Sequence, residues 1–193
     1  MSKNKFYDFY FAWQGSFKSE ILNHYNLRFT HGIFHEDHDF GTILFALAKK
    51  IAYINEALYV YRIRSNSIIT SQKEHHFPQK MPLNLEILRP CFKDYQSLRA
   101  YFRAYCLVRI AEVVYDFMQA NKNKQKFFKK VIKKYIYDYI FYHSKTNTAF
   151  TQEIHKFLNK IGIKNVNFYR QKLLIRMYWR NPKKIIALFF KQK

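Results

Sequence analysis

The sequence predicts a mostly α-helical protein with a small β element, an α+β chain in which residues 1–75 differ in character from a basic helical extension over 76–193. Three observations carry this. Apolar residues recur at helical spacing from about residue 79 onward. Two short runs rich in Ile, Tyr and Val, 51–54 and 58–63, stand in the first part and suit strands. The charge divides at the same place. Residues 1–75 hold nine Lys/Arg and seven Asp/Glu, a net of +2, whereas 76–193 hold 25 and six, a net of +19.

In chain order, residues 17–27 place Phe17, Ile21, Leu22 and Tyr25 on one helical face, with Ser16 available as a cap. A loop around Thr30, His31 and Gly32 follows. The segment 35–50 has acids at its start and Lys49 and Lys50 at its end, the polarity a helix dipole prefers. Asn55 and Glu56 then link the two expected strands. Pro82 and Pro90 interrupt the start of the helical region. A broad stripe comes next, formed by Leu98, Tyr101, Phe102, Tyr105, Val108, Ile110, Ala111, Val114 and Phe117. After a break at 121–124, a helix over 125–142 sets Phe128, Val131, Ile132, Tyr135, Tyr139 and Tyr142 against Lys126, Lys129, Lys130, Lys133 and Lys134. A further helix over 150–161 carries Phe150, Ile154, Phe157, Leu158 and Ile161, and Gly162 suits its stop. From Phe168 to Lys193, apolar and aromatic residues interleave with Lys and Arg, and no acid follows Glu153.

Composition narrows the function classes. With 49% apolar and 20% aromatic residues in 193, the chain can bury a core and is not of disordered composition. Two cysteines, Cys91 and Cys106, are too few for a disulfide framework and fit a reducing compartment. No uninterrupted apolar run reaches membrane-spanning length, and the first residues lack the apolar core and cleavage site of a signal peptide. The expected location is cytoplasmic, peripheral on the inner face of the plasma membrane.

The densest titratable cluster is His31, His35, Glu36, Asp37, His38 and Asp39. It lacks the HExxH spacing and has no cysteine nearby, and neighbouring residues of one turn are not expected to converge on one ion, so no metal ligand is expected here. Asp37 and Asp39 form a D-x-D that suits a cation beside a nucleotide diphosphate. Equally, either aspartate suits the cap of the following helix.

The longer context, GIFHEDHDFGTILFALAKKIAYINEALYVYRIRSNSIITS, orders an acidic pair, a Phe three residues after Asp37, an apolar helix, Lys-Lys, Glu-Ala-Leu-Tyr, Tyr-Arg and a Ser-Ile close. Upstream stand Trp13, the Phe17–Tyr25 segment and Asn26-Leu27-Arg28-Phe29. Over about residues 9–71 this pattern resembles the C-terminal part of the catalytic domain in family 2 glycosyltransferases, the inverting GT-A enzymes of bacterial surface polysaccharide synthesis. The resemblance implies transfer of a sugar from a nucleotide-sugar donor to a cell-surface glycan or lipid-linked acceptor. It places the general base on Asp37, with Glu36 supporting it or positioning the acceptor. It assigns Arg64, and less strongly Arg62, to the leaving diphosphate, with Ser67 as a further phosphate contact; surface arginines at a strand end are the alternative. His35 and His38 are expected as loop and helix-start residues. The family's nucleotide-binding half, which supplies a D-x-D for Mg²⁺ or Mn²⁺, has no counterpart before Trp13. The chain therefore reads as the acceptor half of a longer or split enzyme, or a truncated frame, and as inactive in transfer by itself.

For the basic half, aromatic residues alternating with Lys and Arg suit an interfacial helix on an anionic membrane. A non-catalytic helical module binding a membrane or a partner protein is the alternative function. Nucleic acid is the least favoured partner, because no helix-turn-helix, zinc or RNA-binding signature accompanies the charge.

Overall fold

A computed structural model describes residues 9–63, 75–122 and 125–180. The architecture is mostly α. The helices are α1 (Glu20–His24), α2 (Glu36–Leu47), α3 (Leu83–Glu86), α4 (Tyr95–Ala120), α5 (Gln125–Tyr135), α6 (Thr151–Lys160) and α7 (Val166–Arg180). A 3₁₀ turn, Arg89–Cys91, precedes α4, and a π turn, Tyr139–His143, follows α5.

α4 is the axis of the molecule. Its 26 residues span about 39 Å at 1.5 Å per residue. Asp94 starts it: the Ser97 N–H donates to the Asp94 side chain at 2.7 Å, and the Ser97 hydroxyl donates back to the Asp94 carbonyl at 2.9 Å. The Ser97 N–H, and after it the nearby Ser97 side chain, hold the Asp94 carboxyl below its ordinary range. The helix is buried on more than one side, because α2, α5, α6 and the π turn all pack on it. Leu98, Tyr101, Phe102, Cys106, Val108, Ile110, Ala111 and Val114 are all fully buried. α6 is also tied to α4 by polar contacts. Tyr105 donates to Glu153 at 3.0 Å and Arg109 pairs with Glu153 at 2.8 Å; just before α6, the Thr148 hydroxyl meets that of Tyr101 at 2.6 Å.

α5 and α6 follow the sequence pattern closely. On α5, Phe128, Val131, Ile132 and Tyr135 are buried and the five lysines are exposed. The α-helix stops at Tyr135, short of residue 142, and the chain continues into the π turn, where Tyr139 stays buried and Tyr142 half-buried. α6 ends as expected at Gly162, whose φ is +86°. Gly162 N–H donates to the Asn159 carbonyl at 2.9 Å and Ile163 N–H to the Leu158 carbonyl at 2.8 Å, a Schellman arrangement closed by the buried pair Leu158 and Ile163.

The first part differs from expectation in three places. α1 is one short turn after Ser19, not a helix over 17–27 capped by Ser16; Asn26, with φ +47°, turns the chain out of it. α2 ends at Leu47, and Ala48 is extended, so Lys49 and Lys50 lie beyond the helix whose dipole they were expected to complement. No strand forms among the described residues. The two expected runs, 51–54 and 58–63, are irregular and exposed, with Tyr53 86% and Val60 91% accessible. A strand needs a neighbour for its backbone hydrogen bonds, and none lies beside this segment among the described residues. The segment is instead held through Tyr59 and Tyr61, whose rings stack on Trp13 at 4.5 and 5.2 Å.

Candidate functional site

α2 carries the titratable cluster, and three sets of contacts fix where it sits. Residues 9–11 run across its face. Phe11 N–H donates to the Asp37 carbonyl at 3.0 Å, and Phe9 exchanges hydrogen bonds with the Thr42 hydroxyl at 3.4 Å. Gly41 makes this approach feasible: a Cβ there would stand 2.6 Å from the Phe11 nitrogen and still closer to the Phe9 carbonyl oxygen. Just before α2, the Phe34 N–H lies 3.3 Å from the buried Cys106 Sγ of α4, and the Phe34 ring packs edge-on against Phe102 at 5.0 Å. Burial pushes the Cys106 thiol up to about 12, so it is an inert core group.

The cap of α2 is neither Asp37 nor Asp39. His35 occupies it, in the left-handed region at φ 65°, ψ 35°, with no side-chain cap bond. Asp39 points inward and is fully buried, with one carboxylate oxygen 2.5 Å from the Thr30 hydroxyl and the other without a partner among the described residues. Burial raises its pKa to about 6, against the Thr30 hydrogen bond that opposes the shift. Asp37 and Asp39 therefore do not act together as a D-x-D pair.

Asp37 and His38 remain partly exposed on the first turn, 31% and 21% accessible, with Oδ1 and Nε2 4.0 Å apart. His35 Nδ1 or Nε2 joins them, so that one ligand atom from each of the three residues lies within 4.8 Å of the others. From sequence, neighbouring residues of one turn are not expected to converge on one ion. They do so here because His35 sits at the cap and His38 one helical turn on, on the same side. The two rings stand 5.4 Å apart, with Tyr10 at 5.7 Å and Tyr135 at 6.4 Å from His38. Burial, then His38 and Arg103 beside it, hold the His35 imidazole below its ordinary pKa.

A cavity of about 390 Å³ opens beside this turn, lined by His35, His38, Arg103, Lys134, Tyr135 and Asp138 among others. Sequence places none of Arg103, Lys134 and Asp138 at this site, since only the packing of α4, α5 and the turn after it around α2 brings them there. Of the other expected site residues, Glu36 is exposed beside Asp37. Arg62 is exposed in the irregular 51–63 stretch, so no strand aligns it with Arg64, and Arg64 and Ser67 lie outside the described residues.

The resemblance implies Mg²⁺ or Mn²⁺, cations that favour oxygen donors. Among the described residues the one group that meets the geometry of a cation site offers two imidazoles and a single carboxylate. That donor set does not fit such an ion, and no step of a transfer reaction is routed through it. Compared with protein-family models, with curated proteins and with solved structures, the chain matches none.

Proposed function

We propose that the chain is the acceptor-side part of an inverting glycosyltransferase with Asp37 as its general base. The observation that carries this reading is the placement of Asp37: a partly exposed carboxylate on the first turn of a buried helix, next to a cavity and anchored through its own carbonyl. In the reaction, the Asp37 carboxylate takes the proton of an acceptor hydroxyl. The oxygen forms a bond to the anomeric carbon of the donor, and the carbon–oxygen bond to the nucleoside diphosphate breaks with inversion. Glu36, exposed beside it, orients the acceptor. Arg62, with Arg64 and Ser67, remains the proposed contact to the leaving diphosphate. A nucleotide-binding half, joined to this chain or supplied with it, completes the reaction and carries the divalent metal.

The test is sugar transfer by this chain combined with such a half, using a panel of nucleotide sugars. Asp37→Asn is expected to lower the rate by at least about 100-fold while leaving the fold intact. Activity that survives this change removes Asp37 as the base.

A second reading is favoured by α7. Val166, Tyr169, Leu173, Leu174 and Met177 pack against the core, while Phe168, Ile175 and Trp179 are exposed, Trp179 by 82%. These three recur at helical spacing with Lys172 among them and Arg176 alongside, the pairing of apolar wedge and cation that suits an anionic bilayer surface. Among the described residues no helix is long and apolar enough to cross a membrane. In a Trp13→Phe protein, Trp179 is the sole tryptophan. Its emission is expected to shift to the blue with vesicles containing phosphatidylglycerol and not with pure phosphatidylcholine, and added salt should reverse the shift. An unshifted spectrum with anionic vesicles defeats this reading.

A further inference from the structure

We infer that His35, Asp37 and His38 form a binding site for a divalent transition-metal ion of the zinc class, with two imidazoles and one carboxylate as the protein ligands. The geometry is the first argument. Ligand atoms that share a tetrahedral ion at about 2.0–2.2 Å stand about 3.3–3.6 Å from one another. The His38 Nε2 to Asp37 Oδ1 separation is 4.0 Å, and all three atoms lie within 4.8 Å, so small side-chain rotations bring them onto one centre. All three residues are partly buried, which limits the rotamer freedom lost on binding.

The backbone is the second argument. His35 holds a left-handed conformation, which few non-glycine residues adopt and which histidine adopts more readily than most. It does so between two anchors, the Phe34 N–H on Cys106 and the Phe11 N–H on the Asp37 carbonyl. A cap residue in this conformation and a residue one turn on are thereby presented together before any ion arrives.

Chemistry chooses the ion. A two-histidine, one-carboxylate set suits Zn²⁺, Co²⁺, Ni²⁺ or Fe²⁺ and leaves coordination positions for water or an added ligand. Glu36 on the same turn and Asp138 on the cavity wall offset the positive charges of Arg103 and Lys134. The site does not rest on the transfer reading. It does use the same carboxylate, so a bound metal and deprotonation of an acceptor compete for Asp37.

The full chain titrated with Co²⁺, followed by visible d–d absorption, and with Zn²⁺, followed by competition with a chromogenic chelator, tests the site. One equivalent is expected to bind, with His35→Gln and His38→Gln each weakening it by at least about tenfold, and with His24→Gln and His75→Gln binding like the parent. Absence of saturable one-equivalent binding tighter than about 0.1 mM overturns the site. So does undiminished binding in His35→Gln or His38→Gln. Should either variant fail to fold, the histidine ring resonances of the parent protein decide: Zn²⁺ must shift those of His35 and His38, and a shift confined to other histidines overturns the assignment. No sugar or nucleotide enters these measurements, so their failure leaves the transfer reading where it stands.

Discussion

The surroundings of α4 and the surroundings of α2 are built on opposite terms. Around α4 every fully buried side chain of the helix is apolar or aromatic, and its polar contacts include the Tyr101 hydroxyl on Thr148 and the Tyr105, Arg109 and Glu153 group. α2 carries both of the polar side chains that are buried among the described residues, Asp39 and Thr42, together with a backbone crossing at Gly41 and a left-handed cap. One region stores stability, and the other keeps buried polar groups and a left-handed cap at some cost to it. The two meet along the α2–α4 packing, where Val113 and Phe117 lie against the α2 cluster and Phe34 meets Phe102 and Cys106.

That contrast can be broken from either side. Phe102→Ala should have the largest effect, about 3–5 kcal/mol of destabilisation, because it opens a cavity in the α4 core. It also removes the ring on which Phe34 rests. Chemical denaturation should show one transition moving to lower denaturant for the whole molecule; a loss below about 1 kcal/mol contradicts the account of α4 as its axis.

Asp39→Asn acts on the α2 side, and in the opposite direction. The folded pKa of Asp39, about 6, lies above the ordinary carboxylate value near 3.8. The fold therefore prefers the protonated acid. Stability from this group is fully present below about pH 4 and is lost as pH rises toward 6. The amide removes that loss while keeping an acceptor for Thr30. Melting temperature should rise at pH 7.5, by up to about 3 kcal/mol in free energy, and change little at pH 4. A gain of equal size at both pH values rules out titration of Asp39 as its cause.

Gly41→Ala is expected to cost about 1–3 kcal/mol by forcing residues 9–11 off α2. Its signature is local. Amide exchange at Phe11 should accelerate while amides within α4 keep their protection. Uniform loss across both helices shows instead that the crossing is integral to the α4 core.

Much of the helical part was legible before any coordinates. The lysine face of α5, the buried face of α6 and the stop at Gly162 follow from spacing and from one glycine, because each of these elements is half-exposed and its pattern is written against water. α4 is legible as a helix through its apolar stripe, yet its burial by several neighbours is not, since periodicity reports one face. In the first part, β-branched and aromatic residues at 51–54 and 58–63 read as strands. That propensity is the preference of a side chain for a pleated, half-buried surface, and here no sheet supplies one among the described residues. The candidate site was legible as a cluster of residue types and as Asp37 on a helix start. Its membership was not. The convergence of His35 with Asp37 and His38 depends on a left-handed cap, and the cavity depends on Arg103 and Asp138 arriving from α4 and from the turn after α5.

The sequence by itself determined the helical class, the division of charge and the solvent-facing side of α5, because these depend on residues within a few turns of one another and on water. Only the tertiary structure decided that Asp39 turns inward, that Gly41 lets the chain cross α2, and that two histidines and an aspartate meet. The first two are set by which segments come into contact, and the third by a left-handed cap held between such contacts; local pattern carries no record of them.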